Sequence, residues 1–295
     1  MKVSTGLYRL GSWVRHLLTA HNTGGHGVHS PYLFEWVRMV MDDKNSYYVW
    51  AAIERVREQM LVDERMIDFV DYGSGKKLQT DNCQSSTVNC QLKTESIDRR
   101  KVCDIAKQSL AKKKYAQMLA RLVNWMGDGG MDNGKGIMDN GDGLTIVELG
   151  TSLGVTTAYL AAMDAKNTVL TYEGCEAVAA VAKENWKRLG LKNITCRVGK
   201  IDAEALSEEL SRVDVAFVDA NHTYAGTRMY VNIILEKMHE KSVLVIDDIH
   251  HSREMEKVWQ EICADDRVTT SMDLYQMGLV FLDKNYWKRH YKMIY

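Results

Sequence analysis

Residues 144–283 read as an α/β domain built on a doubly wound, mostly parallel sheet of seven strands. Two observations carry that reading. Apolar runs alternate with helical stretches through the whole region, beginning TIVEL, TVLTY and ITCRV and continuing VDVAFVD and SVLVIDD. Such alternation makes neighbouring strands parallel and covers both faces of the sheet. The last two runs, VTTSMDL and MGLVFLD, have no helix between them, so the last strand should pair antiparallel. A ligand of this architecture sits beyond the carboxyl ends of the strands.

The region before it is a helical extension, 1–126. Leu7, Leu10, Trp13, Val14, Leu17 and Leu18 follow helical spacing. After the glycine turn TGGHGVH, Ser30 and Pro31 open a second helix as cap and first-turn proline, with Leu33, Phe34, Val37 and Val40 on its buried face. A third helix is expected over about 47–62. Residues 76–98 are polar and irregular, and helical periodicity returns over 100–125. The stretch 127–143, GDGGMDNGKGIMDNGDG, has no calcium-loop register and reads as a flexible connection to the domain at 144–295.

Lys and Arg number 38 against 39 Asp and Glu, and net charge is -1. This balance gives no reason to expect nucleic acid or a membrane as the main partner. The first residues lack the features of a secretion signal, since Arg9 and Arg15 interrupt any apolar core. The six cysteines form no C-x-x-C pair, which points to reduced thiols in a cytoplasmic protein and argues against zinc bound through them.

Two segments have the outline of a strand ending in a glycine loop, IDFVDYGSG at 67–75 and IVELGTSLG at 146–154. The second runs into a convincing helix. The first runs into KKLQTDNCQSS and reads as a structural turn, with a lid packing over the active site as the alternative. The second carries Glu148, Gly150 and Gly154, with Thr151 and Ser152 between the glycines, and lacks the G-x-G-x-x-G of dinucleotide binders. A carboxylate at the loop repels a pyrophosphate and suits a cation. S-adenosylmethionine is such a ligand, with an ammonium, a sulfonium and no phosphate. Glu148 would reach its amino-acid end, directly or through water. Glu173, followed by Gly174, stands where a carboxylate accepts ribose hydroxyls. Asp202, after the third strand, stands near the adenine.

With these residues in place, residues 144–283 resemble a class I S-adenosylmethionine-dependent methyltransferase with a Rossmann-like sheet. VELGTSLGVTTAYLA is similar to the loop of the catechol O-methyltransferase type. HGVHSPYLFEWV, KYAQMLARLVNW and VIDDIHHS extend the likeness to a bacterial group of predicted methyltransferases with a helical N-terminal extension.

Methyl transfer is an in-line displacement, and a hydroxyl acceptor must lose its proton to a base or a metal. The fourth strand ends in Asp219, Asn221 and His222, and the fifth in Asp247, Asp248, His250 and His251. Asp219, Asp247 and Asp248 are hard oxygen ligands suited to Mg2+. The resemblance agrees, since metal-dependent O-methyltransferases carry acids at similar spacing. Asn221 departs from the sugar O-methyltransferase pattern, which has an acid there, so His222 becomes the candidate base, with Asp219 beside it.

His26, His29, Tyr47 and Tyr48 are candidates for the acceptor pocket if the extension folds over the sheet. The basic run KKKYAQMLAR reads as a solvated helix face, or as an attractor for an anionic substrate or RNA. The tail NYWKRHYKMIY has two open readings, a homodimer contact or a sheet edge. The expected activity is O-methylation of a small-molecule hydroxyl. An RNA or protein methyltransferase is the alternative, but FVDANHTY lacks the proline and aromatic of base-nitrogen methylation. A non-catalytic S-adenosylmethionine-binding protein is the third reading.

Overall fold

A computed structural model of the chain describes residues 2–70, 98–128 and 143–295. The expected turn at 71–75, the polar stretch after it and most of 127–143 lie outside these residues. The helical extension comprises α1 (Lys2–Thr19), α2 (Pro31–Trp36), α3 (Tyr48–Val62), α4 (Val102–Ser109) and α5 (Lys113–Gly127). Ser30 caps α2 as expected, its hydroxyl accepting from Leu33 N–H, and a π-turn at Val37–Met41 continues that helix. The single helical stretch expected over 100–125 is two helices, broken at Leu110. A short antiparallel ribbon, β1 (Met66–Phe69) with β2 (Asp98–Lys101), joins α3 to α4.

The strands expected in the second half are all present. They are β3 (Thr145–Leu149), β4 (Thr168–Glu173), β5 (Ile194–Val198), β6 (Val213–Val218), β7 (Met238–Asp247), β8 (Thr270–Asp273) and β9 (Met277–Phe281). An eighth strand, β10 (Arg289–Lys292), comes from the tail and pairs parallel with β8, so the expected seven-stranded sheet has one strand more. The tail is thus a sheet edge. The order is β10-β8-β9-β7-β6-β3-β4-β5, and β9 alone runs against the rest. All six residues of β6 are buried, the signature of a central parallel strand covered on both faces.

Helices α6 (Val155–Ala161), α7 (Glu176–Leu189), α8 (Ala203–Glu209), α9 (Tyr224–Lys237) and α10 (Arg253–Ala264) alternate with these strands. Ser252 caps α10 by accepting from Met255 N–H, and Glu254 and Glu256 lie in its positive first turn. The chain order reverses between β3 and β6. The loops leaving these neighbouring strands diverge there and open a crevice at their carboxyl ends.

The extension lies against this sheet through α2 and α5, whose Trp36, Leu119, Leu122 and Met126 share one apolar cluster with Phe217, Val245 and Phe281. Helix α1 behaves differently. Leu7, Leu10 and Leu18 are 66%, 59% and 76% exposed, while Ser12 and His16 are buried. Its inward face is polar, and its contacts are polar too. The Tyr8 hydroxyl donates to Glu256, and the Arg9 carbonyl accepts from the Tyr275 hydroxyl.

Arg121 ties the extension to the tail. Its buried guanidinium donates to the Val40 carbonyl at 2.7 Å and to the Tyr295 hydroxyl at 3.0 Å, beside the Trp50 ring. Arg121→Ala removes both bonds and leaves a cavity. The expected cost is about 2–4 kcal/mol in urea unfolding, and a loss below about 0.5 kcal/mol would show that the anchor contributes nothing.

Candidate functional site

The loop after β3 crosses the loop after β6 with no space between them. Gly150 has φ +101°, and a Cβ there would lie 2.3 Å from the Asp219 carbonyl oxygen. Asp219 N–H donates to Leu149 O at 2.8 Å, while Gly150 and Thr151 N–H both donate to Tyr172 O. Gly154, at φ +75°, is clamped from behind, where the Trp186 indole donates to its carbonyl at 2.8 Å and Asn185 donates to Leu153 O. The loop is therefore rigid, and its backbone is locked by glycine geometry and by α7.

Glu148 stands behind this loop. It is fully buried; its Oε2 accepts from the Thr157 and Thr171 hydroxyls at 2.5 and 2.6 Å, and its Oε1 has no partner. Burial pushes its pKa up to about 8 despite those two hydroxyls. Where contact with a ligand, directly or through water, was expected, the structure places a sealed carboxyl that braces the loop. Thr151 is likewise buried, its hydroxyl 2.6 Å from that of Thr171.

Glu173 ends β4 at the surface of the crevice. Its two oxygens accept Ser152 N–H at 2.8 Å and Cys175 N–H at 2.9 Å, with Gly174 N–H also close. Burial raises its pKa, and these donors only partly offset that. Ser152 has φ +50° and meets Ser109 of α4, hydroxyl to hydroxyl, at 2.6 Å. Asp202 is exposed and caps α8 by accepting from Ala205 N–H. Helix capping fully accounts for its position.

Beyond β6 and β7 the site becomes acidic. His222 Nε2 lies 3.3 Å from Asp219 Oδ1 and 3.9 Å from Asp248 Oδ2, so the imidazole stands between the two carboxylates. His251 Nδ1 lies 3.3 Å from the same Asp248 oxygen, Oδ2. Burial lowers the His222 pKa, but the Asp219 bond and the surrounding acids outweigh it and hold it above the ordinary value. Asp247 is nearly buried, and burial, Asp219 and Asp248 together push its pKa well up. Asp248, with φ +54°, is drawn down by His251, His222 and Arg9 against its burial. Asn221 turns away; its amide packs on the first turn of α9, where a Cβ on Gly226 would strike it.

Magnesium was expected on Asp219, Asp247 and Asp248. Among the described residues these three do not place ligand atoms within 4.8 Å of one another, whereas His16, His250 and Asp273 do. A histidine, rather than a gap, lies between Asp219 and Asp248.

Sequence reasoning missed Gln276, in the turn between β8 and β9. Its amide donates to Asp248 at 2.6 Å and reaches Asp247 at 3.4 Å. Gln276 also lines a cavity of about 380 Å³ with Arg9, Trp13, Lys112, Lys114 and Tyr275. No periodicity marks a polar residue in a turn as a neighbour of a distant strand end. Two lysines of the basic run thus face a cavity, while Tyr48 is 93% exposed and His26 and His29 lie at the surface.

The chain thus has a doubly wound sheet with a glycine loop at its switch point and acids at or near successive strand ends. Residues 147–249, from β3 to just past β7, match the family model described as a methyltransferase domain. Curated proteins gave no match. Similar solved structures include an O-methyltransferase from Bacillus cereus in complex with SAH, at 19% identity and TM-score 0.47, covering 59% of this chain and 83% of that one. Another is the O-methyltransferase of tomaymycin synthesis from Streptomyces achromogenes in complex with SAM, at 17%, 0.47, 59% and 82%. A third is an rRNA methylase from Streptococcus thermophilus, at 16%, 0.45, 59% and 100%. No described helix is long and apolar enough to cross a membrane.

The raised pKa of Glu148 has a measurable consequence. Above its ordinary value of 4.5 the unfolded chain ionises this carboxyl, while the folded chain keeps the proton until about pH 8. Stability therefore falls as pH rises through that window and levels off above it. Glu148→Gln should flatten this part of the profile, by a few kcal/mol at most, on the order of 1.4 kcal/mol for each pH unit of the window. Thermal unfolding of both proteins from pH 5 to 8 checks this. Parallel profiles would mean that Glu148 ionises normally.

Proposed function

We propose that this protein transfers a methyl group from S-adenosylmethionine to a hydroxyl oxygen of a small-molecule acceptor, with His222 as the base. The observation that carries this reading is the imidazole held between Asp219 and Asp248 at the crevice beside the Gly150 loop. The donor set suits this cofactor. Carboxylates end the strands, and among the described residues no lysine or arginine bonds to the loop at 150–154, so the site favours a cation over a phosphate.

Glu173 would hold the ribose hydroxyls, because each oxygen keeps a lone pair after accepting its backbone N–H. Gly150, Ser152 and Gly174 would offer backbone at the crevice surface, and Asp219 would face the charged end. When bound, the cofactor supplies the methyl group and a sulfonium leaving group. His222 Nε2 faces Asp219 and carries the ring proton, which leaves Nδ1 as the nitrogen that takes the acceptor's proton. Asp219 fixes the ring and stabilises the imidazolium that forms, as an acid does behind a catalytic histidine. The neighbouring cavity, with Trp13, Tyr275, Lys112 and Lys114 on its walls, is the place for the acceptor.

Magnesium assistance is a second reading of the same reaction, supported by the repulsion among Asp219, Asp247 and Asp248 that a cation would relieve. Nothing in the base mechanism depends on it. Activity that survives chelator leaves His222 alone in the role, and activity abolished by chelator and restored by magnesium supports the metal.

Calorimetric titration with S-adenosylhomocysteine should show binding that weakens about tenfold or more in Glu173→Ala, the loss of hydrogen bonds to a charged acceptor. Absence of binding to the wild type would remove the proposal. His222→Ala should keep that binding and lower kcat by about 10²–10⁴-fold in methyl transfer to phenols or sugar hydroxyls. An unchanged kcat would take the base role from His222.

A further inference from the structure

We infer that His16, His250 and Asp273 form a site for a divalent transition-metal ion of the zinc type, distinct from the Asp219–His222 cluster and independent of the methyl-transfer reading. The three come from separate elements: α1, the loop after β7, and the end of β8. They are 3%, 8% and 1% exposed, and their ligand atoms all lie within 4.8 Å of one another.

The hydrogen bonds around them fix which atoms offer lone pairs. His16 Nε2 lies 3.0 Å from the Met293 carbonyl oxygen, which can only accept, so Nε2 carries the proton. Nδ1 of the neutral ring is then bare. It has no hydrogen-bond partner and faces Asp273 Oδ1 at 3.4 Å. Two electron-rich atoms facing each other in a dry interior need a cation between them. The separation matches the edge of a zinc tetrahedron, about 3.3 Å for ligands about 2.0–2.1 Å from the ion.

The surroundings fit as well. Metal-bound histidines donate their other ring N–H to a carbonyl or carboxylate, which Met293 O provides for His16. Asp273 Oδ1 is held by Tyr275 N–H at 2.9 Å, and Oδ2 accepts from His250 Nε2 at 2.9 Å, so this ring gives up that proton when the ion binds and the spacing opens slightly. Two imidazoles and one carboxylate suit zinc better than magnesium or calcium, which prefer oxygen alone. His16 also lines the 380 Å³ cavity, so water from it can complete the coordination.

Such an ion has a structural task. Helix α1 buries a polar face and exposes its leucines, so apolar burial does little to hold it. A metal on His16 would pin α1 to the sheet and with it Arg9 and Trp13, which wall the cavity.

Zinc chloride titrated into chelator-stripped, full-length protein tests this. The expected result is one equivalent bound and a raised thermal midpoint. His16→Ala and His250→Gln should each weaken binding by about 100-fold or more, while Asp248→Ala, outside the triad, retains it. Cobalt in place of zinc should give the visible absorption of a tetrahedral ion in the wild type and lose it in His250→Gln. No binding by the wild type overturns the inference, whatever the variants do. So does wild-type affinity in both histidine variants, which would place the ion elsewhere.

Discussion

The contact on which the site depends is the crossing of two backbones at the switch point of the sheet. Leu149 and Asp219 are joined by a 2.8 Å hydrogen bond, and Gly150 leaves that crossing with no room for a side chain. Because β3 and β6 are neighbours, this one contact sets the spacing between the glycine loop and the residues that follow Asp219. Glu173 on one side and His222 on the other take their positions from it. A sheet with another strand order would carry the same residues to unrelated places.

Around this crossing, burial assigns different roles to chemically similar acids. Glu148 is sealed and holds its proton, so it acts as a polar brace between two threonines rather than as a charge. Asp247, nearly as buried and flanked by two other acids, is pushed the same way. Asp248 keeps its charge because His251, His222 and Arg9 surround it. Asp273 is held far below the usual carboxylate range by His16 and His250, despite its burial. Charge at the crevice is thus held most firmly on Asp248, while burial pushes Asp219 up despite its bond to the candidate base.

The extension completes the site from above. Gln276 connects the acids to the cavity, and Arg9, Lys112 and Lys114 give that cavity a basic wall beside aromatic rings. Helix α4 touches the glycine loop through Ser109, and β10, formed by the tail, extends the sheet. The walls of this cavity come from α1, α5, the β8–β9 turn and the tail, outside the residues that match the methyltransferase-domain model.

The sequence by itself determined the sheet and the loop. Continuous apolar runs such as VDVAFV can only be central strands, the 3.6-residue periodicity of the intervening stretches makes them helices, and Gly150 and Gly154 mark a loop that no other residue can form. Glu173, Asp219 and His222 were legible for the same reason, because parallel strands bring their carboxyl ends to one edge. What only the tertiary structure decided was how each of these groups is used. Glu148, Glu173 and Asp202 all lie at or near strand ends, yet Glu148, two residues short of Glu173 in register, is buried behind the loop and Asp202 caps a helix. That distinction depends on what packs over each acid. His16, Gln276 and Asp273 carry no local signal at all, since 234 residues of chain separate His16 from His250, and only the folding of α1 across the sheet brings them together. Local pattern reports the period of the backbone, while side-chain chemistry follows from neighbours that are distant in the chain.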